Sequence, residues 1–119
     1  MSKPRRDIHY LADIEEAIQR ILDYTEDIVD YEGFLEETMA QDAVLRNLQI
    51  LGEATKKLSS ELRQSYSNVP WREMAGTRDR IVHDYFEVNY ATVWEIVREE
   101  LASLLAQIQT MLQDLEADE

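Results

Sequence analysis

A chain of 119 residues, 45% hydrophobic and 31% charged, fits one domain built round one core, residues 1–119. It has no cysteine, which excludes disulfides, cysteine-ligated zinc and a thiol nucleophile, and fits a reducing cytoplasm. A net charge of −13 has the wrong sign for a broad nucleic-acid-binding surface and favours a basic partner or simple solubility.

No apolar run approaches the roughly 20 residues that span a bilayer, so no membrane segment is expected. The N-terminal Met-Ser-Lys-Pro-Arg-Arg-Asp is basic but has no apolar stretch behind it, so it does not read as a signal peptide. The periodicity is helical throughout. Ile8, Leu11, Ile14, Ile18, Ile21, Leu22 and Ile28 recur at steps of three and four and predict a helix over about 6–30, stopped near Gly33. Phe34 and Leu35 are expected to tuck a short connection into the core. A second helix, about 37–65, carries Ala40, Val44, Leu48, Leu51, Ala54, Leu58 and Leu62 on one stripe. Gly52 lies inside it and costs roughly 1 kcal/mol against Ala, which a close backbone approach would compensate. Asn68 and Pro70 suit the start of a short helix, about 70–75, which Gly76 ends. A further helical piece carries Gly76-Thr-Arg78-Asp-Arg80-Ile-Val-His83-Asp-Tyr85. The last helix starts at Asn89 as N-cap and runs through Val93, Trp94, Val97, Leu101, Leu104, Leu105, Ile108 and Leu112. The fold expected is all-α, an up-down bundle of three long helices plus short ones.

Charge is uneven along the chain. Arg46, Lys56, Lys57, Arg63, Arg72, Arg78 and Arg80 are seven of the twelve basic residues, so a basic site on an acidic body is possible. Arg78 and His83 are the candidate chemistry. An imidazole exchanges protons near neutral pH and can deprotonate an RNA 2′-hydroxyl. A guanidinium can hold the phosphate bidentately and stabilise the charge that builds up on it. Such cleavage needs a 2′-hydroxyl, leaves a cyclic phosphate and needs no metal. Five residues along an ideal helix turn through about 500°, leaving the two side chains some 140° apart. They converge only if the helix starts or distorts within the motif, or if a second subunit contributes its copy. The alternative is that Arg78 and Arg80 are solvated surface residues and His83 caps or fills a hydrogen-bonding niche. Asp23, Glu26, Asp27 and Asp30 read as the wet face of the first helix rather than a metal site. Lys56 and Lys57 read as solvated helix surface, and Trp71 and Trp94 as core or interface aromatics.

The motifs taken together carry a resemblance. They are Ala17-Ile18-x-Arg20-Ile21 with Tyr24, Phe34-Leu35, Ala43-Val44-x-Arg46-x-Leu48, Gly52-Glu53-Ala54 and Val69-Pro70-Trp71. Then come Gly76-x-Arg78-Asp-x-x-Val82-His83-x-Tyr85 and Val93-Trp94. In these the chain resembles the HepT-like toxins of the HEPN superfamily over almost its whole length. The resemblance implies a HEPN-like helical bundle that dimerises and places both copies of the Arg/His segment at a shared cleft. It implies a metal-independent endoribonuclease toxin without a cofactor, cytoplasmic, paired with a minimal nucleotidyltransferase (MNT-type) antitoxin. Arg78 and His83 match the catalytic pair. Asp79 matches the polar residue after the Arg, where many members carry Asn, and could orient the site. Tyr85 matches the tyrosine onto which the antitoxin transfers AMP. Arg80 and Arg72 are candidate RNA contacts. The rival reading is a non-catalytic HEPN module that docks a nucleotidyltransferase or a nucleic acid.

Overall fold

Three long helices form the body of the molecule. The computed structural model describes residues 3–83 and 87–118. Helix α1 (Lys3–Thr25) packs against α3 (Thr38–Lys56) and against α8 (Leu101–Ala117). On α1 the residues Asp7, Leu11, Ile14, Ile18, Ile21 and Thr25 form a buried stripe spaced 4-3-4-3-4, with Ala17 buried beside it. On α3 the stripe is Gln41, Val44, Leu48, Leu51 and Thr55, flanked by the buried Asn47, Gly52 and Ala54 and continued by Leu58 beyond the helix end. This alternation keeps one stripe of each helix facing its packed neighbour. The buried apolar side chains of all the long helices join in one core.

The polar residues on those stripes are each satisfied, as burial requires. The Thr25 and Thr55 hydroxyls donate to the Ile21 and Leu51 carbonyls at 2.8 and 2.7 Å. The Gln41 amide donates to the Phe34 carbonyl at 2.8 Å. Asp7 accepts from the Ser59 N–H at 2.9 Å and from its hydroxyl at 2.6 Å.

The first helix is shorter than its periodicity predicts. It stops at Thr25, and the Ile28 N–H closes a turn on the Thr25 carbonyl. Asp30 then caps a separate helix, α2 (Tyr31–Glu36), accepting from the Gly33 N–H at 2.8 Å. Gly33 is thus near the start of a helix, not a stop. Phe34 is fully buried, as expected, but Leu35 on the next position faces solvent. The predicted 37–65 helix is two helices. α3 ends at Lys56, and α4 (Ser60–Ser65) restarts with Ser59 as N-cap, its hydroxyl accepting from the Leu62 N–H at 3.1 Å. The Asp7 carboxylate holds that cap in place, a tertiary contact the local pattern could not announce.

Gly52 lies against the next element, α5 (Trp71–Ala75). The Met74 carbonyl oxygen is 3.4 Å from where a Cβ on Gly52 would sit. The close backbone approach is present, though a methyl would still fit in ordinary contact. α5 occupies the predicted place, with Pro70 at the N-cap position and no side-chain cap from Asn68. One turn residue, Gly76, separates it from α6 (Thr77–Ile81). A short antiparallel ribbon follows, β1 (Val82–His83) on β2 (Glu87–Val88), pairing Val82 with Val88 and His83 with Glu87.

The final helix begins where expected. Asn89 caps α7 (Tyr90–Glu95), accepting from the Thr92 N–H at 3.1 Å. Between α7 and α8 lies a π turn, Ile96–Glu100, in which the Leu101 N–H reaches back five residues to the Ile96 carbonyl. Ile96 is buried here too, and beside it Val93, Val97 and Leu101 keep one line at 4-4 spacing before the 3-4 pattern resumes at Leu104 and Ile108. Eight residues in two turns exceed the 7.2 of an α-helix, and the π turn absorbs the excess.

Candidate active site

The segment from Gly76 to Asn89 is built from elements too short to persist alone. Its anchors are at both ends. At the front the buried Thr77 hydroxyl donates to the Met74 carbonyl at 2.7 Å, tying α6 to α5. Trp71 anchors α5 in turn, buried, with its indole N–H on the Tyr66 carbonyl at 3.0 Å. At the back Ile81 enters the core, and its carbonyl accepts from the Asn89 N–H at 2.7 Å.

The helix ends inside the motif. Arg78 lies on α6, and Val82 has already turned extended, with φ −111° and ψ 121°. His83 is therefore on a strand, not on the helical piece expected to carry it. Ile81 and Val82 are consecutive β-branched residues, which favour that exit. Side chains alternate along a strand. Val82 and Val88 pack on the core while His83 and Glu87 are exposed on the other face. The 140° separation of an unbroken helix accordingly does not apply.

Arg78 and Asp79 are both exposed, and among the described residues no carboxylate pairs with Arg78. Arg72, on α5, is exposed too. Arg80 differs. Its guanidinium makes two hydrogen bonds to the Glu100 carboxylate, Nη1 to Oε1 at 3.0 Å and Nη2 to Oε2 at 2.7 Å. Those bonds raise its pKa further above an already high value, against a smaller opposing effect of burial. Glu100 is the last residue of the π turn. The pair lines a cleft of about 360 Å³ between α3, α5, α6 and the last helix, floored by Leu48, Met74 and Leu104. Nothing in the sequence marks Glu100. The only signal is the 4-4 spacing of core residues around it.

Trp94 and Asp30 have structural partners. Trp94 stacks on Phe34 with centroids 5.1 Å apart, and the Arg98 guanidinium lies 5.4 Å from its ring. Asp23, Glu26, Asp27 and Asp30 are exposed, with Asp30 capping α2. No group of three His, Cys, Asp or Glu able to hold a metal forms among the described residues. No helix among them is long and apolar enough to cross a membrane. Tyr85, expected as the modified residue, lies outside the described residues.

A family model described as ribonuclease HepT-like matches residues 14–111, which include everything from Arg78 to Tyr85. The chain belongs to the HepT-like family of the HEPN superfamily. The chain is similar to "Putative RNase MJ0125" of Methanocaldococcus jannaschii, 39% identical over 95% of this chain and 97% of that one. "Putative RNase TTE0752" of Caldanaerobacter subterraneus subsp. tengcongensis is 38% identical, over 88% of this chain and 89% of its own. "Probable ribonuclease HepT" of Thermococcus cleftensis is 39% identical, over 86% and 92% respectively. No solved structure matches the chain. In this HepT-like bundle the expected catalytic pair is exposed on either side of a helix-to-strand bend, and one of the two further arginines is already held by a carboxylate.

Proposed function

We propose that the chain is a metal-independent endoribonuclease, active as a homodimer, and the toxin of a toxin–antitoxin pair. The observation that carries the reading is the exposure of both Arg78 and His83 on a segment whose helix ends between them. The family membership and the names of the relatives support it.

The chemistry follows from those two side chains. The neutral His83 imidazole takes the proton of an RNA 2′-hydroxyl, whose oxygen attacks the adjacent phosphorus. The bond from phosphorus to the 5′-oxygen breaks, and that oxygen takes up a proton from an acid at the cleft. The products are a 2′,3′-cyclic phosphate and a 5′-hydroxyl. In a dimer the second His83 supplies the acid. Arg78 holds the non-bridging oxygens and stabilises their added charge. Asp79 orients the site. Arg72 is free to follow the RNA backbone, whereas Arg80 would have to leave Glu100 to do so.

An MNT-type nucleotidyltransferase is the partner, and it silences the toxin by transferring AMP to the Tyr85 phenol oxygen. The transfer releases pyrophosphate if ATP is the donor. A bulky anion two residues from His83 would block the cleft and repel RNA phosphate. The second reading, a non-catalytic module that docks a nucleotidyltransferase or nucleic acid, draws on the charge of −13. Expression in a host cell separates them. The wild-type chain arrests growth and His83→Ala does not, at equal soluble protein. Arrest undiminished in His83→Ala contradicts the catalytic reading.

A further inference from the structure

We infer that Arg80 and Glu100 form a positioning clamp for the Arg78–His83 segment, with the π turn of the last helix presenting Glu100 to Arg80. The inference rests on the ribonuclease reading above and adds two positioning residues to it.

α6 is five residues long and cannot hold its own orientation. Its anchors at Thr77 and Ile81 fix the ends. A third tie is needed to stop the helix rolling about the line between them. Arg80 is that tie. Two residues along a helix turn through about 200°, so Arg78 and Arg80 leave α6 on nearly opposite sides. One guanidinium faces solvent, and the other reaches the last helix. Two parallel hydrogen bonds between planar groups fix rotation as well as distance, which a single contact does not.

The π turn explains why position 100 can accept them. One inserted residue rotates everything after it by about 100° relative to a continuous α-helix. Glu100 sits at the end of the insertion. A part-exposed ion pair of this kind contributes little to overall stability. The Arg80 and Glu100 side chains are 30% and 42% exposed. Its loss is therefore expected to displace Arg78 and His83 rather than unfold the bundle. The competing role is direct contact of Arg80 with RNA. That role predicts the opposite effect at Glu100, since removing the carboxylate would free the guanidinium for phosphate.

Steady-state RNA cleavage by the full chain decides between them, with Arg80→Ala, Glu100→Ala, the double variant and His83→Ala compared. The clamp predicts that each single variant lowers kcat by on the order of tenfold, with KM within about twofold of wild type. It also predicts that the double variant is no worse than the weaker single, because both remove one interaction. An unchanged kcat in Glu100→Ala, or a lower KM there with a higher KM in Arg80→Ala, overturns the clamp. Amide hydrogen exchange in Glu100→Gln gives a readout that does not depend on catalysis. Faster exchange confined to residues 78–83 supports the clamp, and unchanged exchange there overturns it. If wild type does not cut RNA, or His83→Ala cuts equally well, the ribonuclease reading falls while the exchange result still judges the clamp.

Discussion

Arg80 and His83 are three positions apart, yet they meet different surroundings. The arginine turns inward onto Glu100, and the histidine stands exposed on the outer face of a two-residue strand. That difference was not legible in the sequence, because both read as polar residues of one helical piece. The candidate site could be named from the sequence, since Arg78, Asp79, His83 and Tyr85 stand in a spacing that the resemblance made specific. Partners of side chains are long-range facts. Glu100 lies twenty residues from Arg80, and no local pattern links them. At Tyr85 a phenol has no use in the cleavage step that His83 does not already serve. Tyr85→Phe is therefore expected to keep cutting RNA and to gain no AMP when incubated with the nucleotidyltransferase and ATP. Intact mass checks this, and AMP still attached to Tyr85→Phe would refute the assignment to that tyrosine.

The elements themselves were largely readable. The stripes of α1 and α3, the Asn89 cap and the short helix before Gly76 follow from steps of three and four and from turn chemistry. What periodicity missed were interruptions imposed by polar contacts. The break between α3 and α4 keeps Leu58 and Leu62 in the core, so the apolar stripe runs through it unmarked. The Asp7–Ser59 pair is what fixes it. Asp7→Ala leaves the Ser59 N–H and hydroxyl without their acceptor and is expected to lower unfolding free energy by about 1–3 kcal/mol. Urea denaturation measures it, and a midpoint equal to wild type would deny the pair its role. Gly52 makes a sharper case. Gly52→Ala adds a methyl in ordinary contact with the Met74 carbonyl and improves helix propensity, so stability should stay within about 1 kcal/mol of wild type. Gly52→Leu must push α5 away, and overpacking of this kind costs about 1–3 kcal/mol. Thermal unfolding of the two variants tests the approach of α5, and equal melting temperatures would contradict it.

Over the whole molecule, the charge of −13 limits how RNA can be held. With Arg80 engaged by Glu100, Arg72 and Arg78 are the exposed arginines of α5 and α6, four in a dimer. Single-stranded RNA neutralised by four cations should show log affinity falling against log salt with a slope of about −3. Fluorescence anisotropy of a labelled RNA over a salt series reads that slope. A value more than twice as steep would mean that a broader basic surface takes part. The acidic remainder is free to serve as a partner surface, since a cleavage site needs only local complementarity. On the reading proposed above, two side chains and no metal cut RNA. Purified, unmodified protein incubated with total RNA in excess chelator tests it most directly. Wild type is expected to generate fragments ending in 2′,3′-cyclic phosphate, and His83→Ala to be slower by about 10²–10⁴-fold with its helical circular dichroism intact. Fragments that vanish in chelator, or that His83→Ala produces at the wild-type rate, would rule out metal-independent cleavage by His83.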